Sequence, residues 1–291
     1  MSIQLKELLI VGENRLKYAG IRDAKIDAEL LLMYQLHYDK RKMFMNWARP
    51  LEEDDCNDYF ELLDRRATGE PPQYIIGDQE FMGIKFMVDP RVLIPRQDTE
   101  VLVEKIIEYT VEKRGSLKVL DLCTGSGAIA VSLAIKNASL KITASDISED
   151  ALDVATSNAA NAGVLKRIDF KKSDLLSDFK TGFRGDSFDI IVSNPPYIKS
   201  SVIPTLQREI YDHEPMMALD GGEDGLKYYR RIIEDAPKFL KKNGALFLEI
   251  GYDQAAQVSN MIGSSGYYVD AGEIVKDLKG KDRVVIARVS H

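Results

Sequence analysis

The chain has 291 residues, of which 45% are hydrophobic and 29% charged, a composition typical of folded globular proteins. Its formal net charge is −7, whereas a protein that grips nucleic-acid phosphates usually carries a basic excess or patch, so no stable nucleic-acid partner is expected. No run of about 18 apolar residues is present, which argues against a membrane-spanning helix and a membrane partner.

Cysteine and histidine usage argues against two further kinds of site. The two cysteines and three scattered histidines are Cys56, Cys123, His37, His213 and His291. They give no disulfide framework and no metal-ligand spacing, so we expect no metal site. Residues 1–18 carry several charges without a continuous apolar core, unlike a signal peptide, and a cytoplasmic location is predicted.

Residues 1–70 are predicted to form a small helical domain. Apolar residues recur at helical spacing over 23–36 and again over 52–66. Gly69-Glu70-Pro71-Pro72 then breaks the helical pattern, and residues 71–95 are predicted to form a linker with a β-hairpin around Gly83. After Pro95, a helix is expected to run to about residue 113.

From residue 117 onward, strand and helix patterns alternate, which is typical of a parallel, doubly wound α/β sheet. The predicted strands are 117–122, 141–145, 168–171, 188–193, 245–250, 267–274 and 283–289. The predicted helices are 128–136, 149–162, with Ser148 as its cap, 228–240 and 253–262. Because only a turn separates the last two strands, the final strand is predicted to be antiparallel. Residues 96–291 are therefore predicted to form one Rossmann-like domain.

The first strand of this domain runs into a glycine loop, Asp121 to Gly127. At a strand-to-helix turn, glycines let the backbone approach a ligand, which also meets the helix N-terminus. Gly125-x-Gly127-x-x-Ala130, with Asp146 about 20 residues later, satisfies the dinucleotide fingerprint. The same residues fit the first motif of methyltransferases that use S-adenosylmethionine, in which an acid at the strand end suits a cationic ligand. A glycine turn without a ligand is the third interpretation.

The segment Asn194-Pro195-Pro196-Tyr197 follows the predicted strand 188–193. Consecutive prolines fix φ and remove backbone donors, so a rigid loop with free carbonyls is predicted. A planar amide or exocyclic nitrogen is a poor nucleophile because its lone pair is delocalised. The Asn194 oxygen and the Pro195 carbonyl could accept its two hydrogens, and Tyr197 could offer a flat face. Catalysis would then consist of positioning and electrostatic stabilisation, although the tetrapeptide in isolation also suits a plain turn.

Together these motifs resemble those of the release factor glutamine methyltransferases, the HemK/PrmC family, over nearly the whole chain. The resemblance also includes Gly69-Glu70-Pro71, Phe81–Glu100, Ser173-Asp174, Glu214-Pro215, Ala218–Gly225 and Leu248–Gly251. Leu93-Ile94-Pro95-Arg96 and the Gly-Gly-x-Asp-Gly segment are the specific parts, since Asn-Pro-Pro-Tyr is shared with DNA and RNA amino-methyltransferases. The family's usual Ile-Pro-Arg-Pro has Gln97 at its last position here.

The resemblance implies a class I methyltransferase fold that uses S-adenosylmethionine and forms S-adenosylhomocysteine. It implies methylation of the N5 amide nitrogen of the glutamine in the Gly-Gly-Gln loop of peptide chain release factors, with residues 1–70 recognising the release factor. The protein is expected to be a monomer.

The resemblance also assigns site residues. Those implied to bind the cofactor are Asp121, Cys123, Thr124, Gly125, Ser126, Gly127, Asp146, Ile147, Asp174, Leu175 and Asn194. Those implied to bind the substrate are Arg96, Asn194, Pro195, Pro196 and Tyr197, of which Asn194, Pro195 and Tyr197 are the predicted catalytic residues. A structural ion pair is the alternative role for Arg96, and for Glu249 a structural role is at least as well supported as a place in the crevice.

Three other functions stay open at this point. An N6-adenine or N2-guanine nucleic-acid methyltransferase would share the Asn-Pro-Pro-Tyr motif, but the acidic charge and the lack of a basic insert count against it. An inactive protein that senses S-adenosylmethionine is disfavoured by the intact Asn194–Tyr197 segment. An oxidoreductase with a nucleotide cofactor would explain only the glycine loop.

Overall fold

The computed structural model describes residues 3–111, 113, 115–181, 187–269 and 272–289. The last residue, His291, lies outside this part of the chain. The chain divides into two compact units: the first comprises residues up to Asp78 together with Leu206–His213, and the second comprises Gln79–Thr205 and the chain from Glu214 onward. Residues 71–95, predicted to form a linker, are thus divided between the units at Asp78.

The helices, in chain order, are α1 (Leu5–Tyr18), α2 (Ala24–Gln35), α3 (Lys40–Met45), α4 (Glu53–Ala67), α5 (Pro72–Ile76), α6 (Gln97–Val111), α7 (Ala128–Lys136), α8 (Glu149–Asn161), α9 (Arg208–His213), α10 (Met216–Leu219), α11 (Lys227–Asp235) and α12 (Ala255–Ser265). The strands are β1 (Ile3–Gln4), β2 (Pro50–Leu51), β3 (Asp78–Phe81), β4 (Ile84–Met87), β5 (Lys118–Leu122), β6 (Lys141–Asp146), β7 (Ile168–Lys172), β8 (Phe188–Ser193), β9 (Leu240–Glu249), β10 (Glu273–Lys276) and β11 (Asp282–Arg288). None of the helices in the described ranges is long and apolar enough to cross a membrane.

The first unit is helical and has one apolar core of its own. Leucines at helical spacing along α1 are buried, and they pack with residues of α2 and α4. Gly12 of α1 allows the close approach of α4, because a Cβ there would lie 2.1 Å from the Tyr59 hydroxyl oxygen. That hydroxyl donates a hydrogen bond to the Ala28 carbonyl at 3.0 Å, so the buried polar group is satisfied.

A buried ion pair also lies in the first unit. Arg66 of α4 is 3% exposed, and its Nε donates to Asp27 Oδ2 of α2 at 2.7 Å. Its Nη2 donates to Glu209 Oε1 of α9 at 2.5 Å. One guanidinium therefore ties α9, which comes from far along the chain, to α2 and α4.

The second unit contains a seven-stranded sheet in the order β10-β11-β9-β8-β5-β6-β7. The strands β9, β8, β5, β6 and β7 run parallel to one another, whereas β11 runs antiparallel to both β9 and β10. The predicted Rossmann-like sheet with an antiparallel last strand is thus confirmed. Side chains alternate between the faces of the strands, and the two apolar cores lie on opposite faces, one with α6, α7 and α8 and the other with α11 and α12.

The chain order reverses between β5 and β8, because β6 and β7 continue on one side of β5 and β8 and β9 on the other. In open α/β sheets, ligands bind at such a switch point, beyond the carboxyl ends of the strands. The glycine loop follows β5 and Asn194 follows β8, so the fold brings the two predicted motifs to this point.

Two predicted elements are placed differently in the structure. The predicted helix 228–240 ends at Asp235, because Pro237 has no N–H with which to continue the helical hydrogen bonds, and β9 begins at Leu240 instead of 245. The predicted strand 267–274 is replaced by β10, which starts after Gly272 at φ 91°. Tyr268 forms only an isolated bridge to Val289, and residues 270 and 271 lie outside the described ranges.

Candidate functional site

A cavity of about 540 Å³ lies beyond the carboxyl ends of β5, β6, β7 and β8 in the second unit. This volume is within the range usual for small-molecule sites. The predicted cofactor residues that line it are Cys123, Thr124, Gly125, Ser126, Asp146, Ile147, Asp174, Leu175 and Asn194. Of the predicted substrate residues, Arg96, Asn194 and Pro196 line it. Asp121, Gly127, Pro195 and Tyr197, all of them described, lie outside the lining.

The two glycines of the loop after β5 have different roles. Gly125 has φ 53° and no atom within 4 Å of the place where a Cβ would be, so its backbone is open to the cavity. Gly127 has φ 79°, and a Cβ there would lie 3.0 Å from Ala155 Cβ of α8. Gly127 therefore permits close packing between α7 and α8, and Gly125 is the glycine that a ligand can approach.

Asp121, at the end of β5, lies beneath the glycine loop and is fully buried. Thr124 Oγ1 donates to its Oδ2 at 2.7 Å, whereas its Oδ1 has no hydrogen-bond partner among the described residues. Burial raises the pKa of Asp121 from 3.8 to about 7. A cation in the neighbouring cavity would favour the ionised form of this carboxyl group.

Asp146, at the end of β6, lines the cavity and anchors the loop. Its Oδ2 accepts a hydrogen bond from the Gly125 amide at 2.9 Å, and its Oδ1 accepts one from the Ser148 amide at 3.0 Å. Ser148 caps α8 as predicted, because its hydroxyl accepts from the Ala151 amide at 3.2 Å. Burial raises the pKa of Asp146, and these backbone donors oppose the shift.

Helix α11 contributes a wall of the cavity that the sequence motifs do not indicate. Lys227, Tyr228 and Arg231 line the cavity, and the Arg231 guanidinium pairs with the Asp174 carboxylate through two contacts of 2.9 Å. Asp174, one of the predicted cofactor residues, is thus already held by the Arg231 guanidinium. The sequence signal for α11 is its strongly amphipathic pattern, which predicts a helix but no ligand contact.

Asn194 follows the last residue of β8, and the nitrogen of its side-chain amide is held by a hydrogen bond. Its Nδ2 donates to Thr99 Oγ1 of α6 at 3.2 Å, which leaves its carbonyl oxygen as the acceptor for another group. Thr99 is 5% exposed and lines the same cavity. Thr99 is not among the residues that the sequence assigns to the site, because a threonine in a first helical turn is too common to single out.

Tyr197 packs against the apolar core on the α11 and α12 side of the sheet. Burial raises the pKa of its phenol, so the side chain is neutral at ordinary pH. Its backbone carbonyl accepts from Gln254 Nε2 at 3.0 Å, and the same Nε2 donates to the Gly225 carbonyl at 3.2 Å. The residue is therefore held at both its ring and its backbone.

The Gly-Gly-x-Asp-Gly segment packs directly on the backbone of the Asn-Pro-Pro-Tyr loop. A Cβ on Gly221 would lie 2.7 Å from Tyr197 Cα, and a Cβ on Gly225 would lie 2.5 Å from the Tyr197 carbonyl oxygen. Ile198 and Asp220 join the two segments in a parallel bridge. The glycines are thus needed for close approach, and they fix the loop that follows Asn194.

Arg96 combines a place in the cavity wall with an ion pair. Its Nη2 lies 2.6 Å from each carboxylate oxygen of Glu214, whose side chain is 1% exposed. Burial raises the pKa of Glu214, and Arg96 opposes this shift. Arg96 therefore forms an ion pair, the alternative that the sequence left open, and it also lines the cavity. The pair joins the start of α6 to the segment before α10.

We expect the stability of the ligand-free protein to depend on the protonation of Asp121. Its folded pKa of about 7 exceeds the ordinary 3.8, so the folded state keeps a proton that the unfolded state releases between these values. The stabilisation is complete below the ordinary pKa and is lost as the pH rises through about 7. Urea unfolding across this range should show a flatter pH dependence for Asp121→Asn than for wild type. Asp253→Asn, at an exposed position, is the control and should keep the pH dependence of wild type. Identical pH dependence for Asp121→Asn and wild type would contradict the raised pKa of Asp121.

Comparison with known families assigns both parts of the chain. The family described as "PrmC N-terminal domain" matches residues 7–77, and the "Methyltransferase small domain" matches residues 97–223. The chain is 41% identical over 285 residues to a release factor glutamine methyltransferase of Clostridium acetobutylicum, with 98% of each chain covered. It is 40% identical over 265 residues to a protein of the same name from Bacillus subtilis, with 90% of each covered.

Among solved structures, a methyltransferase from Pyrococcus furiosus is similar to the chain with a TM-score of 0.50. The similarity covers 72% of this chain and 90% of that one at 20% sequence identity. At this level of identity the likeness concerns the fold alone.

Proposed function

Because this chain belongs to the family of release factor glutamine methyltransferases, we propose that it transfers a methyl group from S-adenosylmethionine to the N5 amide nitrogen of the glutamine in the Gly-Gly-Gln loop of peptide chain release factors. The chain is an enzyme, a methyltransferase. The observation that carries the proposed reaction is the orientation of Asn194. Its nitrogen donates to Thr99, so its oxygen is left to accept a hydrogen from a substrate amide.

The residues around the cavity suit S-adenosylmethionine. The cavity is large enough for a ligand of this size, and Gly125 leaves its backbone open to it. Asp146 lines the cavity and Asp121 lies beneath the glycine loop, and these carboxyl groups suit a ligand that carries a sulfonium and an ammonium. When bound, S-adenosylmethionine supplies an electrophilic methyl group and is converted to S-adenosylhomocysteine.

The remaining residues of the predicted cofactor set support this assignment by their positions. Cys123, Thr124 and Ser126 would hold the methionine part, Asp146 the ribose hydroxyls, and Ile147, Asp174 and Leu175 the adenine. Asn194 lines the same cavity, between the proposed cofactor and substrate sites. Gly127 would contribute indirectly, by permitting the packing of α7 against α8.

Asn194 and Pro195 would position the substrate nitrogen. Asn194 Oδ1 and the Pro195 carbonyl would each accept one hydrogen of the glutamine amide and so direct its lone pair toward the cofactor. The amide nitrogen forms the new C–N bond and then releases one proton to solvent, so no strong base is needed before transfer. Pro196 and Arg96 would shape the wall of the pocket. Tyr197, whose ring packs against the apolar core outside the cavity lining, would hold the loop in place and not face the planar amide group as predicted.

The first unit is proposed to recognise the release factor. The sequence of this unit carries no cofactor motif of its own, and a relative named release factor glutamine methyltransferase matches 98% of the chain, first unit included. Phe44 and Trp47 on this unit are exposed and stacked with ring centroids 5.4 Å apart. A monomeric state and a cytoplasmic location remain predictions from the sequence.

Methyl transfer to a purified release factor tests the proposal directly. We expect one methyl group per release factor and no transfer when the glutamine of its Gly-Gly-Gln loop is replaced by alanine. Mass spectrometry of the peptide that contains the loop would locate the methyl group. Equal labelling of the alanine-substituted release factor would refute the proposal, and labelling of DNA or rRNA instead would favour the nucleic-acid alternative.

A further inference from the structure

A buried carboxyl group lies directly behind Asn194. Glu249 ends β9, next to β8 in the parallel part of the sheet, where Ser193 is paired with Leu248. It is 1% exposed, and its Oε2 has no hydrogen-bond partner among the described residues. A buried carboxyl group with an unsatisfied oxygen is costly, and neither the cofactor residues nor the substrate residues proposed above account for it.

Glu249 lies close to Asn194 in the fold. The side chains of Thr99 and Asn194 both lie next to its carboxyl group and favour its ionised form. Asn194 Nδ2 also donates to Thr99 Oγ1 at 3.2 Å. The three side chains therefore form a closed polar cluster between α6, β8 and β9, and only one end of it, the Asn194 oxygen, is free to face the substrate.

The chemistry of these groups limits the hydrogen bonds that the cluster can form. An ionised carboxylate only accepts, so a hydrogen bond between Thr99 and Glu249 uses the single hydroxyl hydrogen of Thr99. The Thr99 oxygen can then only accept a hydrogen bond from Asn194. The Asn194 amide must therefore turn its nitrogen, and not its oxygen, toward Thr99. If Glu249 became a donor, Thr99 could donate to the Asn194 oxygen instead, and the amide could turn over.

We propose that Glu249 is a positioning residue that acts through Thr99 to hold the Asn194 amide with its oxygen toward the substrate. This inference rests on the function proposed above. It assigns to Glu249 a role in the reaction without contact with the substrate or the cofactor. Since the amide of an asparagine is nearly symmetric in shape, hydrogen bonding and not packing must select its orientation.

The charged and titratable groups that face Glu249 come from each surrounding element. They are Asp98 on α6, Tyr197 after β8, Tyr229 on α11 and Arg283 on β11. Burial raises the pKa of Glu249 to about 7, and the hydrogen bonds from Thr99 and the charge of Arg283 oppose the shift. As the pH falls through about 7 and Glu249 becomes protonated, the hydrogen bonds should therefore no longer fix the orientation of the Asn194 amide.

Two substitutions test the role of Glu249 with release-factor methylation as the assay. Glu249→Gln, which can donate as well as accept, should lower kcat roughly 10- to 100-fold with an unchanged Kd for S-adenosylmethionine, measured by calorimetry. Thr99→Val should have the same effect, and Thr99→Ser should restore most of the rate. Glu104→Gln on the exposed side of α6 is the matched control and should change neither quantity.

The decisive measurement is a double-mutant cycle with Asn194→Ala. If Glu249 acts by orienting Asn194, then Glu249→Gln should cause no further loss of kcat in the Asn194→Ala background. As a single substitution, Glu249→Gln should also abolish the fall of kcat on the acid side of about pH 7. The inference would be overturned if the losses of kcat from Glu249→Gln and Asn194→Ala were additive, or if kcat of Glu249→Gln still fell on the acid side of the profile. Activity of the wild-type protein would uphold the proposed function in either case. A wild-type protein that does not methylate release factor would refute the function itself.

Discussion

Replacement of Asn194 by alanine is expected to lower kcat by a factor on the order of 10²–10³, or about 3 kcal/mol in the barrier. The reason is geometric: Asn194 lies at the end of β8, and its hydrogen bond to Thr99 fixes the orientation of its side-chain oxygen. Without it, the substrate amide can bind in many orientations, and in few of them does the nitrogen lone pair point toward the cofactor. Single-turnover methylation of a release factor measures this change without interference from product release.

Cofactor binding separates this role from a general disruption of the site. Asn194 is one residue among many that line the cavity, so the Kd for S-adenosylmethionine should change little in Asn194→Ala. Asn161→Ala, on the exposed end of α8, serves as a matched control for the same side-chain truncation. Unchanged turnover at saturating cofactor, together with a large rise in the Kd, would show that Asn194 binds the cofactor instead.

The sequence predicted most of the sheet because its signals are local. Each parallel strand is a short apolar run followed by a polar or glycine-rich turn, and an open sheet places the carboxyl ends of such strands at one edge. The glycine loop and the Asn194 segment could therefore be expected to meet at one site from the order of the strands alone. The predicted ends of the helix 228–240 and of the strand 267–274 were wrong because those ends depend on Pro237 and Gly272, single residues inside otherwise regular patterns.

The connections between motifs could not be predicted in the same way. Gly127 has the same place in the loop motif as Gly125, yet its neighbour is Ala155, a residue of a different helix. Likewise, nothing near Gly221 or Gly225 in the sequence indicates that they approach the Tyr197 backbone. Such contacts join residues far apart along the chain, and a single sequence holds no record of them.

The charged residues of the site show the same limit. The sequence placed Arg96 and Glu249 near the crevice but left their roles open, because an arginine or a glutamate is compatible with both substrate contact and a structural pair. The residues next to them in the fold, Glu214 and Thr99, are distant in sequence. A buried ionisable residue must have a partner for a physical reason, but its identity comes only from the fold.

A second large effect is expected in the first unit, where Arg66 and Asp27 form a buried ion pair. Both side chains are under 10% exposed, and burial raises the pKa of Asp27 while Arg66 opposes the shift. Removal of one member of such a pair leaves the other charge without compensation in a poorly solvated place. By contrast, the neighbouring pair of Arg65 and Glu70 lies at the surface, where water solvates both partners after a substitution.

We therefore expect Arg66→Met to lower the free energy of unfolding of the first unit by about 3–5 kcal/mol, and Arg65→Met by no more than about 1 kcal/mol. Trp47 is the only tryptophan of the chain and lies in this unit, so its fluorescence during urea unfolding reports on this unit and not on the methyltransferase unit. Because the unpaired Asp27 can take up a proton, the loss should shrink as the pH falls. The double variant Arg66→Met/Asp27→Leu should recover the part of the loss that comes from the buried, unpaired Asp27, while the more exposed Glu209 stays without its Arg66 partner. Equal losses in the single and double variants would show that the pair with Asp27 acts through packing alone.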